Sequence, residues 1–149
     1  MSEKNYDPPM HSAEHLLNQT MHRMFGCGRA FSSHVERKKS KCDYRLERTL
    51  ATEELQQVED AVNALIAQDL PVTESLMSRE EASQHFNLSR LPESAGNALR
   101  IVRIGDYDAC PCIGPHVEHS AQIGQFKILS SDYNEGVLRL RFTRSPKED

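Results

Sequence analysis

Two histidine and cysteine clusters far apart in the chain constrain its fold more than any other feature. Cys110-Pro111-Cys112-Ile113-Gly114-Pro115-His116 packs soft and borderline metal ligands into seven residues bent by two prolines and a glycine. Upstream, His11-Ser12-Ala13-Glu14-His15 places two histidines four apart, so on a helix both imidazoles point the same way. Zinc takes cysteine sulfur and histidine nitrogen in a tetrahedron, so a helical pair and a turn pair complete one site only if the fold brings them together. Spacing alone leaves the ligand set open. Alternate residues of an extended segment share a face, so Cys110 rivals Cys112, and His119 rivals His116. Plainer readings exist too: two histidines that share a helical face by chance, and Cys110 as a small buried apolar residue.

The remaining pattern reads as helices and strands that do not alternate regularly. Asp7 and Pro8 are a helix-start signal, a side-chain cap followed by a preset φ in the first turn. The helix is predicted to run to Phe25, with Leu16, Leu17, Met21 and Met24 on its buried face and Gly26-Cys27-Gly28 as its stop. Residues 30–50 read as two short strands around Phe31, Val35, Tyr44 and Leu46, joined by the charged tip Arg37-Lys38-Lys39-Ser40-Lys41. Thr52 is the predicted cap of the clearest helix, whose stripe is Leu55, Val58, Val62, Leu65 and Ile66, ending before Pro71. Strands are predicted over 72–77, 99–104, 126–129 and 137–142, with a short helix over 78–85 and a loop over 87–97. A further strand should lead into the cysteine turn, and 132–136 reads as a longer hairpin turn. The expected fold class is α+β, long helices packed on a mainly antiparallel sheet.

A chain of 149 residues can bury a core of its own, so one domain over 1–149 is expected, with 1–6 and 145–149 frayed. The formal charge of -4 argues against DNA or any other polyanion being bound over the whole surface. It leaves room for a local basic face built from Arg37, Lys38, Lys39 and Lys41, joined by Arg139 and Arg141, which share one side of the last strand. No apolar run suggests a secretory leader or a membrane span, so a cytoplasmic protein is expected, its four cysteines thiols or thiolate ligands.

With both ligand pairs placed, the sequence resembles the editing domain shared by alanyl- and threonyl-tRNA synthetases, especially the freestanding AlaX-type proteins that carry this domain alone. His11 to Leu17 is similar to the family's first zinc motif, and the stretch from Leu55 to Val72 to its central helix and strand start. Arg103 to Asp108, Cys112 to His116, Ile123-Gly124, Phe126 to Leu129 and Gly136-Val137 resemble the second half in order. The resemblance implies Zn2+ as cofactor, held by His11, His15, Cys112 and His116, and tRNA as partner. It also implies an ATP-independent hydrolase of the ester joining a wrong amino acid to tRNA. Serine or another small residue on an alanine-accepting tRNA is the expected substrate. Two departures stand out: the family usually has two glycines and a threonine between the cysteine and the histidine, where this chain has Ile113, Gly114 and Pro115. The arginine-rich ending after Gly-Val is only partly kept, in Arg139 and Arg141. Nothing in the chain resembles the aminoacylation or anticodon-reading regions, so editing would occur in trans.

Within that reading, zinc can lower the pKa of water, polarise the ester carbonyl or hold the substrate. Four protein ligands fill a tetrahedron, the usual mark of a structural site, which keeps a second function class in view: a zinc-stabilised, hydrolytically silent module that binds RNA or a partner. Glu14 projects about a hundred degrees around the helix from His15, which predicts a surface position and leaves no general base named.

Overall fold

The computed structural model of the chain describes residues 7–86, Leu88 and 97–146. Its first element is helix α1, Pro8–Phe25, where the Asp7 carboxylate accepts from Met10 N and Gly26, at φ 67°, closes the far end. This helix is buried on almost every side between Met10 and Met21, because α2 (Thr52–Ala67), β5 (Asp108–Pro111), β7 (Val137–Ser145) and a 3-10 turn (Ser120–Ile123) all pack on it. The last turn projects beyond those elements, which leaves Met24 39 % exposed rather than on the buried face that periodicity predicts.

The strands follow in chain order: β1 (Ser32–His34), β2 (Ser40–Arg45), β3 (Val72–Ser78), β4 (Ala98–Ile104), β5 (Asp108–Pro111), β6 (Gln125–Asn134) and β7 (Val137–Ser145). All pairings are antiparallel, but the strands form two sheets, β1-β2-β7-β6 and β3-β4-β5. The expected α+β architecture is therefore present with the sheet divided. Helix α2 (Thr52–Ala67) starts one residue earlier than its cap prediction: Ala51 holds the cap position, and Glu54 reaches back to accept its N–H. The five-residue helix α3 (Arg79–Ser83) follows β3 directly. The predicted loop over 87–97 lies outside the described residues except for Leu88 and Asn97, as do 1–6 and 147–149, while Ser145 pairs with Gln125 at the end of β7.

Between β6 and β7 the predicted longer turn is a two-residue one. Glu135 and Gly136 both take positive φ, 50° and 83°, which lets the chain reverse with a twist matching the strands, and β6 extends to Asn134. At the β6 edge, α2 supplies the missing partners: Asn63 accepts from Phe126 N and donates to its carbonyl, and Glu59 accepts from Ile128 N. Edge backbone groups that would otherwise template another strand are thereby satisfied. The main core joins Leu16, Leu17 and Met21 to Val58, Val62, Tyr44, Phe126, Leu140 and Phe142, all fully buried. No helix among the described residues is long and apolar enough to cross a membrane.

Candidate metal centre and adjoining cleft

Burial of α1 carries its first two turns, and both histidines, into contact with the segment after β5. That segment is held from the far side by Arg100, whose Nη1 donates to the carbonyls of Cys112 (3.1 Å) and Gly114 (2.6 Å) while Nη2 meets Glu74 at 2.8 Å. Cys112 N donates in return to Arg100 O. The strand ends at Pro111, the chain turns, and four side chains converge: His11, His15, Cys112 and His116, with one candidate ligand atom from each lying within 4.8 Å of the others. The spacing rivals do not join them. Cys110 stays on the strand with its thiol against Pro111 O, and His119 is exposed near Asp69.

Each imidazole is oriented from behind by an oxygen. His11 Nδ1 lies 3.0 Å from Pro115 O, an acceptor only, so that nitrogen is the donor and Nε2 faces Cys112 Sγ at 3.4 Å. His116 Nδ1 pairs with Ser12 Oγ at 2.9 Å, leaving Nε2 buried with no hydrogen-bond partner. His15 Nδ1 faces Asp108 Oδ2 at 3.5 Å, an ion-pair contact, and has no hydrogen-bond partner among the described residues. Outer oxygens of this kind fix the tautomer and aim of metal-binding histidines. Zn–S of about 2.3 Å and Zn–N of about 2.0 Å at the tetrahedral angle place sulfur and nitrogen about 3.5 Å apart, close to the Cys112–His11 separation. The orphaned His116 Nε2, the outer oxygens and the three-nitrogen, one-sulfur donor set all fit a metal ion such as zinc.

The charges of the group are strongly shifted. Burial pushes the Cys112 thiol up, but the three imidazoles around it, His11 first, outweigh burial and bring the thiol down to about 3. Burial works against a charged His15, yet Asp108 and Cys112 raise it to about 10. His116, buried and facing both other imidazoles, falls to about 4. Thiolate and neutral imidazole are the forms in which such side chains donate to a metal; Cys112 and His116 are already in them, whereas His15 would give up its proton on binding.

Several supporting residues carry no sequence signal of their own. Arg29 donates to Asp108 at 2.7 Å, and Gln19 adds a third contact at 3.2 Å. Tyr107 bonds Thr20 through its hydroxyl, and Arg23 through its carbonyl and ring face, fixing the β4–β5 turn on α1. Strand alternation back from Cys112 and Cys110 would have singled out Asp108; Arg29 and Arg100 lie too far away in sequence for any such rule. Glu14, predicted at the surface, is 6 % exposed, because α1 is enclosed on that side too.

A cleft of about 1050 Å³ opens beside the group, lined by Glu14, His15 and Asn18 of α1, by Ser33 of β1 and Val35 just after it, and by Cys112. Ile113, 64 % exposed, stands at its mouth. Pro115 contributes its carbonyl oxygen, which any residue would supply, so that departure leaves the orientation of His11 intact. On the other side of β1 a recess of about 220 Å³ is lined by His34, Glu36, Lys39, Ser40, Lys41 and Arg141. Arg37, Lys38 and Lys39 are exposed between β1 and β2, and Lys41 sits opposite Arg141 in the sheet. Arg139 and Arg141 are engaged by carboxylates, Asp43 at 2.8 Å and Asp132 at 2.6 Å.

Residues 99–141 match the family described as the threonyl and alanyl tRNA synthetase second additional domain. The chain is also similar to alanine–tRNA ligases: 36 % identical over 138 residues to that of Shouchella clausii, covering 91 % of this chain and 16 % of the ligase. With the Coxiella burnetii enzyme it shares 38 % identity over 133 residues, 87 % of this chain and 15 % of the ligase. With that of Methanocella arvoryzae it shares 32 % over 137 residues, 89 % and 16 %. The chain thus spans about one sixth of the length of these relatives.

Proposed function

The chain is a relative of the second additional domain of threonyl and alanyl tRNA synthetases, and from that relationship we propose that it is a zinc-dependent deacylase of mischarged tRNA. In this reading residues 1–149 are a single editing-type domain, and the substrate is the ester between an amino acid and the terminal ribose. An alanine-accepting tRNA carrying serine or another small residue fits best. One methylene or hydroxyl separates such amino acids by only about 1–3 kcal/mol in a binding pocket, which is the physical need for a second, hydrolytic sieve.

The observation that carries the proposal is the convergence of His11, His15, Cys112 and His116 beside an open cleft that the first three line, with an oxygen behind each imidazole. Four protein ligands would fill zinc's tetrahedron, so its Lewis acidity toward the ester carbonyl would require a fifth position or the displacement of one ligand. The protein's own part is placement. Pro115 O, Ser12 Oγ and Asp108 hold the imidazoles, and Arg100 holds the turn that carries Cys112. The exposed tip Arg37, Lys38 and Lys39, with Lys41 beside the recess, is the proposed tRNA phosphate contact.

Zinc-loaded protein should hydrolyse seryl-tRNA of the alanine type well above the buffer rate, and a minimal aminoacyl-nucleoside ester more slowly. Buffer rates across a panel of small-residue esters would overturn the hydrolase and favour the silent module, whose specific support is the exposed Ile113 at the cleft mouth.

A further inference from the structure

Among the carboxylates that line the cleft, Glu14 differs from the rest. Asp108 is taken up by Arg29, Gln19 and His15, and Asp106 is exposed in the β4–β5 turn. The cleft's arginines are committed elsewhere: Arg29 to Asp108, Arg23 to the Tyr107 carbonyl and ring, Arg103 to Ser75. Glu14 is 6 % exposed and borders the cleft, and among the described residues its polar contacts are Asn18 Nδ2 at 3.3 Å and His11 Nε2 at 3.8 Å. Arg29 lies near enough to feel the Glu14 charge, but the hydrogen bonds it makes are to Asp108 and none is to Glu14 among the described residues. A carboxylate has about four acceptor sites, and a buried one left with a single long hydrogen bond is costly unless a donor or cation completes it.

Asn18 holds Glu14 in place. Its Oδ1 accepts from Ala30 N at 3.0 Å and from the buried Tyr44 hydroxyl at 2.8 Å, which leaves Nδ2 for Glu14. The carboxylate is therefore fixed beside His11, facing the cleft, with unused acceptors. Every aminoacyl ester carries a cationic α-amino group two bonds from the carbonyl that is attacked. We propose that Glu14 binds the α-ammonium of the substrate and so makes the site selective for aminoacyl over other acyl esters. This rests on the deacylase reading above. No bond to Glu14 is made or broken in hydrolysis.

The test compares alanyl-adenosine ester with lactyl-adenosine ester, in which a hydroxyl replaces the ammonium, on zinc-loaded wild type, Glu14→Gln and Glu14→Asp. Glutamine keeps the shape and can still accept from Asn18. For Glu14→Gln we expect KM for the alanyl ester to rise about tenfold to a hundredfold, the scale of a charge-assisted hydrogen bond. KM for the lactyl ester should stay within about twofold, and kcat for both should be little changed. Glu14→Asp should recover part of the preference. Equal KM changes for both esters would make Glu14 merely structural. Loss of zinc would make it a ligand, and a fall in kcat alone would make it a proton carrier; each overturns the proposal. A wild type inactive on both esters removes the deacylase reading and this inference with it.

Discussion

Cys110 and Cys112 lie two residues apart, and only local geometry separates their roles. Both border the cleft, but β5 ends at Pro111 and Arg100 then draws the Cys112 and Gly114 carbonyls toward β4, so that only the second sulfur meets the histidines. Cys112→Ser should therefore abolish stoichiometric zinc binding, measured by metal analysis of the purified protein, while Cys110→Ser should keep about one zinc per chain. Equal metal content in the two variants would remove Cys112 from the ligand set. Alternation in an extended segment could not make this choice, because it places both sulfurs on one face. What reading the residues in order could not supply was the long-range clamp, since Arg100 and Arg29 act on residues far along the chain. Glu14 departs from its expected surface position for a related reason: a helical wheel gives direction but not how many neighbours surround the helix.

At the level of elements, α1 and α2 were legible because apolar spacing is local, as is the Asp7 cap of α1, while the cap of α2 fell one residue before Thr52. The division of the strands into two sheets was not, since pairing partners are non-local. Across β2 and β7, the register sets Asp43 opposite Arg139 and Lys41 opposite Arg141. The Arg139 guanidinium holds the Asp43 carboxyl below its ordinary value of 3.8 against the opposing effect of burial. A carboxylate with a depressed folded value adds stability that is present above its unfolded value and is lost as pH falls through the lower folded one. Asp43→Asn should accordingly lower Tm at pH 7 by about 2–4 °C, the shift that a loss of about 1 kcal/mol gives a chain of this size. The difference from wild type should shrink as pH is taken below 3.8. A Tm gap that persists unchanged at a pH of about 2 would assign the effect to packing instead.

For the whole molecule, a net charge of -4 repels a polyanion at long range, so tRNA binding requires clustered cations. Arg139 and Arg141 are already paired with Asp43 and Asp132, which shifts the weight to Lys38 and Lys39 at the exposed tip. Replacing both with Glu should weaken tRNA binding and flatten its log–log salt dependence by about 0.7 to 0.9 for each phosphate no longer neutralised. Zinc content and hydrolysis of a minimal ester should be unchanged, and an unaltered salt slope would move the binding face elsewhere. Because the metal group ties α1 to the segment after β5, its occupancy should set both activity and firmness of the fold. The most direct measurement is a zinc titration of metal-stripped protein with hydrolysis of seryl-tRNA of the alanine type followed at each step. The rate should rise in proportion to added zinc and saturate at one equivalent per chain; full activity without metal, or none at any zinc level, would contradict the account.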